Sequence, residues 1–304
     1  MENRSIWFKG NMVPVTDAKI NVLSPMAQFG LNVFEGIRCY WNNEQQQLYA
    51  FRLKRHFERL IDSCKLIGIS CPYSFSELEA YFLEAIRYNG YRQDIAVRMT
   101  LFVDGEGSWS SSEPVGMFIA PVMKSRTDVN ALKGLSACVS SWERIGDNSL
   151  PPRIKAGANY INGRYGHLEA RRNGYDVPIF LGSHGKVAEG AGACLFIIRN
   201  GELITPSLTS SILESITRTT ILEIASEIGY KVCEREVDRT ELYLADEVFL
   251  CGSAAEVSPI TSIDRLSVGC GVPGSITFKL LETYLDLVSN RYMKHNAWLT
   301  PIYH

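Results

Sequence analysis

The sequence predicts an α+β fold in two domains, and three observations carry that reading. Strand-like and helix-like stretches alternate irregularly, without the regular βα succession of a doubly wound parallel sheet. Residues 123–134 (MKSRTDVNALKG) are polar and weakly periodic, which marks a boundary between two better-patterned halves. The 304 residues, 46% apolar and 21% charged, have the balance of an ordinary globular chain with enough apolar material for sizeable cores. The expected division is a smaller N-terminal α/β domain over 1–123, an interdomain loop over 124–134 and a larger C-terminal domain over 135–304.

The elements follow in order. Residues 6–13 read as an extended hairpin with Gly10 at the turn, and 29–41 are aromatic and β-rich. Residues 52–66 form a helix, because Leu53, Phe57, Leu60, Ile61 and Cys64 recur at helical spacing. A second helix over 76–88 opens on Ser76 with Glu79 three residues on, a capping-box pattern. Strands are expected at 95–103 and 116–122, then beyond the boundary at 135–141, 177–181, 193–198, 202–205 and 247–251. Helices are expected at 159–172, at 216–228 before Gly229, and at 276–289. There is no internal repeat or low-complexity segment.

Bulk properties exclude several functions. The net charge of −2 gives no electrostatic case for nucleic acid or an anionic membrane. The first residues, Met1-Glu2-Asn3-Arg4-Ser5-Ile6-Trp7, lack the apolar core of a signal peptide, and no stretch approaches the ~20 apolar residues that span a bilayer. The eight cysteines are scattered without a C-x-x-C pair. They read as buried free thiols in a reducing cytoplasm. The five histidines show no metal-ligand spacing, and no metal is expected.

The residues that could do chemistry cluster in a few segments. Lys155 follows Pro151-Pro152, precedes Ala156-Gly157-Ala158 and adjoins a helix start at Asn159-Tyr160. Small neighbours leave space for a cofactor ring. Glu189 stands between a strand and the glycines of Gly190-Ala191-Gly192. Together they suggest a Schiff-base lysine and a carboxylate holding a pyridinium nitrogen, the minimum set for pyridoxal phosphate chemistry. Phosphate needs a cradle, and Ser215 could cap a helix whose Ile216 and Thr217 offer amides and a hydroxyl. Arg59 shares a helix side with His56 and has the fork geometry that suits phosphate. Gly252-Ser253-Ala254-Ala255-Glu256 follows an apolar strand, where small residues let backbone amides reach an anion. Taken singly, each has a plainer reading: a solvated lysine, an exposed turn glutamate, an ordinary N-cap, a surface ion-pair arginine, a strand-end turn.

The order and spacing of these segments decide between those readings. The chain resembles the class IV (fold type IV) pyridoxal-phosphate aminotransferases, most closely those for branched-chain amino acids. The matching segments include Phe34-Glu35-Gly36-Ile37-Arg38, His56-x-x-Arg59-Leu60, Lys155-Ala156-Gly157-x-Asn159-Tyr160, Glu189-Gly190-Ala191-Gly192, Ile216-Thr217-Arg218 and Gly252-x-Ala254-Ala255-Glu256. The resemblance implies two α/β domains with the cofactor between them, the C-terminal one binding pyridoxal phosphate. It also implies a homodimer or higher homo-oligomer that acts on amino acids and 2-oxo acids. It makes Lys155 the catalytic lysine and proton shuttle. Glu189 binds the pyridine nitrogen and Tyr160 the phenolic oxygen. Arg59, Ile216, Thr217 and Ser253 hold the phosphate, and the amides of Ser253 and Ala254 take the substrate carboxylate. Phe29, Phe34, Arg38 and Arg98 line the substrate pocket.

The sequence also departs from that family. Phe29-Gly30 stands for the usual Tyr-Gly, Ala96 for a tyrosine two residues before Arg98, and Ser215 for the glycine before Ile216-Thr217-Arg218. The tryptophan expected near Met123 is absent. The cofactor residues are kept while the substrate pocket is altered, so donors other than, or larger than, leucine, isoleucine and valine are expected. Two other activities of the same fold stay open at this point: D-amino acid or amine transamination, and an aminodeoxychorismate lyase-like elimination.

Overall fold

A computed structural model of the chain describes residues 4–291 and 293–303, so residues 1–3 of the N-terminal segment analysed above lie outside it. The strands are β1 (Ser5–Phe8), β2 (Asn11–Pro14), β3 (Asn32–Asn42), β4 (Gln47–Phe51), β5 (Ile95–Val103), β6 (Val115–Met123), β7 (Leu135–Glu143), β8 (Val177–Leu181), β9 (Val187–Gly190), β10 (Cys194–Arg199), β11 (Glu202–Thr205), β12 (Lys231–Glu234), β13 (Glu247–Gly252), β14 (Glu256–Ile263), β15 (Leu266–Ser267) and β16 (Leu299–Pro301). The α-helices are α1 (Pro25–Phe29), α2 (Leu53–Ile67), α3 (Phe75–Asn89), α4 (Tyr160–Arg172), α5 (Ile216–Glu227) and α6 (Ser275–Val288). No helix among the described residues is long and apolar enough to cross a membrane.

The chain divides into two compact units. The first takes Met1–Arg126, Ile154–Ala158 and Asp286–His304, and the second takes Thr127–Arg153 and Asn159–Leu285. The stretch 135–304 is therefore not one contiguous body. Its 154–158 segment pairs with β3 and its last strand pairs with β4, and these backbone hydrogen bonds assign both pieces to the first unit.

The first unit is a seven-stranded antiparallel sheet in the order β16-β4-β3-β5-β6-β1-β2. Successive side chains on a strand point to opposite faces, and here the two faces do different work. Val33, Ile37 and Cys39 of β3 and Val97, Met99 and Leu101 of β5 join one apolar cluster with Phe57, Leu60 and Cys64 of α2 and Leu78 and Phe82 of α3. Burying each large side chain in that cluster contributes ~1.5–3 kcal/mol. Phe34, Gly36 and Arg38 alternate onto the other face, in register with Thr100, Arg98 and Ala96. α3 starts one residue earlier than its pattern predicts, and its capping box uses Ser74 with Glu77 in place of Ser76 with Glu79. The same S-x-x-E pattern occurs in both frames. Phe75 packs edge-on against Phe57 at 5.3 Å, and including it in the helix selects the earlier cap.

The second unit is built on a mixed sheet in the order β12-β11-β10-β13-β14-β7-β8-β9, with β15 on β14. β9 also pairs with β10, so six of these strands close into a ring. Its apolar filling comes from residues such as Ile179, Val187, Leu195, Ile197, Val248, Leu250 and Ile260. α4 and α5 lie outside that cluster and carry the polar residues considered next.

Candidate active site

In the first unit, Lys155 is fixed by its main chain. Its carbonyl accepts from the Phe34 N–H at 2.9 Å, its own N–H donates to Ser63 Oγ at 3.2 Å, and Ala156 forms a bridge with Val33. The small residues after Lys155 serve this contact. A Cβ on Gly157 would fall 2.7 Å from Asn32 Oδ1, so only glycine lets the segment lie against the start of β3. The Lys155 ammonium stands 5.2 Å from the Phe34 ring centroid, and the Arg98 guanidinium lies 4.0 Å from the same ring. Phe34, Lys155 and Arg98 are therefore brought together. A Cβ on Gly36 would meet nothing within 4 Å, so the face between Phe34 and Arg38 is open. Arg38 itself is buried, with Nη2 donating to the Lys124 carbonyl at 3.0 Å and its guanidinium over Tyr40. Phe29 is exposed at the end of α1.

Behind that face, Glu35 carries a charge on the apolar side of β3. It is fully buried, and α2 supplies its partners: Arg59 donates from Nε and Nη2, both at 2.7 Å, and His56 Nδ1 lies 2.6 Å away. Burial alone would push the Glu35 carboxyl up, but the charge of Arg59 and the hydrogen bonds of Arg59 and His56 hold it well below the ordinary carboxylate range. Burial pulls His56 below its ordinary value despite the facing carboxylate. A neutral imidazole beside an ionised carboxylate must carry its proton on Nδ1 and donate it to Glu35. Arg59 is thus oriented by a bidentate pair before any ligand arrives.

In the second unit, Glu189 lies in β9, at the strand pair that closes the ring, opposite Cys194. It is a buried strand residue, 3% exposed, and not a turn residue. Arg144 Nε donates to its Oε1 at 2.9 Å, the Leu213 N–H reaches both oxygens at 3.4 Å, and the Cys194 thiol donates to Oε2 at 3.7 Å. Asn162 of α4 accepts from Arg144 Nη1 at 2.9 Å and so sets the guanidinium. A Cβ on Gly163 would fall 2.5 Å from the Ala191 carbonyl oxygen. Glycine there lets α4 lie on the loop after Glu189, where a Cβ on Gly192 would fall 3.7 Å from the Tyr160 ring. Gly252 in turn abuts the Gly192 carbonyl and Ala193, which places half-buried Ser253 and exposed Ala254 next to the same loop.

Three residues beyond Leu213, α5 begins. Ser215 accepts from the Arg218 N–H at 3.2 Å as its N-cap. Ile216 and Thr217 are buried, and first-turn amides have no acceptor within their helix. No acidic residue occupies that first turn, and Glu214 pairs with Arg153 at 3.0 Å. The geometry offers an anion a set of N–H donors with no nearby carboxylate on the helix.

The donor set fits pyridoxal phosphate: a held amine, a buried carboxylate, a pre-oriented arginine and a buried helix N-terminus. The pattern of the family described as amino-transferase class IV matches residues 32–263. This chain belongs to the class IV aminotransferases. The aminotransferase is 40% identical over 299 residues to a probable branched-chain-amino-acid aminotransferase of Aquifex aeolicus, covering 98% of this chain and 96% of that one. Its fold matches the branched-chain amino acid aminotransferase of Thermobaculum terrenum in its PLP form with a TM-score of 0.93, at 42% identity over 99% of each chain. It matches the branched-chain aminotransferase of the archaeon Thermoproteus uzoniensis, solved with norvaline, with a TM-score of 0.92 and 39% identity over 99% of both chains. The enzyme is a pyridoxal-phosphate-dependent transaminase of fold type IV.

Reading the sequence did not single out Glu35, Ser63, Arg144 or Asn162. One of them left a usable signal. Glu35 sits between Val33 and Ile37 at buried parity, and a charge on an apolar strand face requires a partner. Arg144 left none, because its partner lies 45 residues away.

Proposed function

We propose that this aminotransferase transfers the amino group of an L-amino acid with a large apolar side chain to a 2-oxo acid such as 2-oxoglutarate, in two alternating half-reactions. The observation that carries the reading is the anchoring of Lys155: its main chain is held on both sides while its side chain carries the amine out beside Phe34. When bound, pyridoxal phosphate supplies the carbonyl that takes the amino group and the ring that accepts electrons. Lys155 Nζ takes the substrate α-proton and returns it. Glu189, its charge balanced by Arg144, would hold the ring nitrogen, and Tyr160 would hold the phenolic oxygen. Arg59, the amides of Ile216 and Thr217, and Ser253 hold the phosphate. The Ser253 and Ala254 amides and Arg98 take the substrate carboxylate. Arg38, on the same face of β3 as Phe34, serves the pocket by holding the Lys124 carbonyl.

Donor class rests on two supports. The relatives are named for branched-chain amino acids. The pocket face is open at Gly36, and Ala96 stands beside it in register with Arg38, where a larger residue would fill the space. Donors other than, or larger than, leucine, isoleucine and valine are therefore favoured. A homodimer, or a higher homo-oligomer, is supported by the exposed Val22, Leu23, Phe29 and Trp109 of the first unit. The free thiols among the described residues fit a reducing cytoplasm.

The test is an absorbance titration of purified holoenzyme with single amino acids, in both enantiomers and without an acceptor. An L-amino acid is expected to shift the cofactor's visible band in one turnover, bulky apolar donors doing so at the lowest concentration. If leucine, isoleucine and valine are the three best donors, the enlarged pocket is wrong; if no L-amino acid shifts the band, transamination of L-amino acids is wrong. Lys155→Ala should lose at least the ~10²–10⁴-fold that a positioned proton-transfer group contributes, and near-normal turnover of that variant would sink the assignment of the lysine.

A further inference from the structure

The turn that joins β13 to β14 closes on an unexpected residue. Gly252 and Glu256 pair across the hairpin, which leaves Ser253-Ala254-Ala255 as a three-residue loop. Hairpins of this length commonly close on a residue in the left-handed region, and glycine is its ordinary occupant. Here that residue is Glu256, with φ +51°. A side chain at positive φ crowds the neighbouring carbonyl, so the glutamate costs backbone stability that glycine would not. Glu256 is also 1% exposed, and a buried carboxylate is unfavourable unless hydrogen bonds hold it. Two unfavourable choices at one position point to a use for the side chain.

Its carboxylate meets a distant main chain. Glu256 Oε2 accepts from the Thr127 N–H at 2.6 Å. Thr127 opens the stretch 127–134, in which Asp128 caps the short 3₁₀ turn Val129–Ala131. The stretch ends at β7, whose Leu135 lies in register with Ile260 of β14. A Cβ on Gly134 would run into Thr261, so the chain passes close over the same strand. Both ends of the stretch are therefore tied to β14, the later one by main chain and the earlier one by the Glu256 carboxylate.

We propose that Glu256 is a positioning residue, whose carboxylate fastens Thr127 to the 253–255 turn and so holds that turn in the shape that receives an amino acid's carboxylate.

The inference rests on the role proposed above for the Ser253 and Ala254 amides, and it adds what keeps them in place. Successive main-chain N–H groups form an anion-binding concavity only while the backbone keeps its turn conformation. A serine and two alanines bring little side chain with which to fix it. The residues after them do so: Ser258 Oγ donates to the Ala255 carbonyl at 2.8 Å, and Glu256 ties the turn to Thr127. A carboxylate that accepts a main-chain N–H makes one of the stronger hydrogen bonds available for this.

Two measurements on the holoenzyme test the proposal. Hydrogen exchange at Thr127, read by mass spectrometry with no amino acid present, reports the fastening alone. The absorbance titration with L-leucine reports the turn. Glu256→Gly removes the carboxylate and relieves the backbone, so a glutamate with a merely structural role predicts unaltered leucine binding. The positioning role predicts that the Thr127 amide exchanges about tenfold faster and that half-conversion of the visible band needs about tenfold more leucine, as for the loss of one hydrogen bond to a charged group. The full extent of the band shift should be kept. Glu256→Gln keeps an oxygen in place and should recover both values. Glu256→Asn also tolerates the left-handed region but is one methylene shorter, so it should behave as the glycine variant does and decides the matter if that variant fails to fold. Unchanged exchange at Thr127 in these two variants overturns the proposal, and so does faster exchange with an unchanged leucine titration. If no L-amino acid shifts the wild-type band, the reading of the amides fails and this role with it; faster exchange in the variants would then show a fastening without that use.

Discussion

In each unit a buried glutamate is paired with an arginine, Glu35 with Arg59 and Glu189 with Arg144, and the proposed function gives these two pairs opposite roles. In the first unit Glu35 is fully enclosed and Arg59 is 13% exposed, so the carboxylate is the support and the arginine is the group presented to a ligand. In the second unit both side chains are enclosed, Arg144 at 11% and Glu189 at 4%, and it is the proposed function, not exposure, that makes Arg144, steadied by Asn162, the support and Glu189 the group presented. The same ion pair thus positions a cation in one case and an anion in the other. The surrounding hydrogen bonds differ too. Glu35 has His56 as well as Arg59, and Arg144 has Asn162 as well as Glu189, while Glu189 also accepts from the Leu213 N–H and the Cys194 thiol. A buried pair contributes little net stability, because desolvation offsets the attraction, but removing one partner leaves the other uncompensated.

Four variants or conditions separate the two arrangements. The largest effect belongs to Arg59→Met, which leaves Glu35 facing only a neutral imidazole in an apolar cluster. A loss of ~3–5 kcal/mol is expected, read by urea unfolding of the apoprotein; a loss below ~1 kcal/mol would show that Glu35 is not held by Arg59. Arg144→Gln comes next. Glutamine keeps one donor near Glu189, so a smaller loss of ~1.5–3 kcal/mol is expected, together with weaker retention of pyridoxal phosphate on dialysis. Unchanged cofactor retention would break the proposed reversal of roles.

The third is a dependence on pH that belongs to the first unit. His56 is held below its ordinary 6.5, first by burial, with Arg59 and Lys155 acting in the same direction and Glu35 against it. The unfolded chain therefore binds a proton that the folded protein excludes. That stability is fully present above the unfolded value and is lost as pH falls through the folded one. The melting temperature should drop between about pH 7.5 and about pH 5.5, and His56→Gln should flatten the drop. An equally steep profile in that variant would assign the effect elsewhere. The smallest effect is Ser215→Ala in the second unit, which removes the α5 N-cap at a cost of ~1 kcal/mol and weakens phosphate binding without moving the pH profile.

Much of this was legible in the chain because it is local. The 3.6-residue pattern of Leu53, Phe57, Leu60 and Cys64 located α2 to within a residue, and Ser215 capped α5 as its sequence predicts. Lys155 and Glu189 stood out through their small neighbours, although at Gly157 the small residue makes room for Asn32. Glu189 was harder to place, since β9 is four residues long, too short to show an alternation, and exists because β8 and β10 both pair with it. The supports were illegible for the same reason. Arg59 reaches back 24 residues to Glu35 and Arg144 reaches forward 45 to Glu189, and no window of sequence contains either relation. The division of the chain failed at its returns, because a five-residue segment and a terminal strand carry too little pattern to reveal the sheet they join.

One of those returns bears on how the protein is made. β16 adds to the first sheet by pairing Leu299 with Phe51, so β4 is synthesised long before the strand that covers its edge. Until then β4 is an edge with open hydrogen-bonding positions, and the Phe51 backbone waits for a partner still in the exit tunnel. A nascent chain that stalls or is truncated after the second unit would release a protein with that edge exposed. Synthesis of the β16 strand therefore decides whether that edge is covered or is a substrate for aggregation and chaperones.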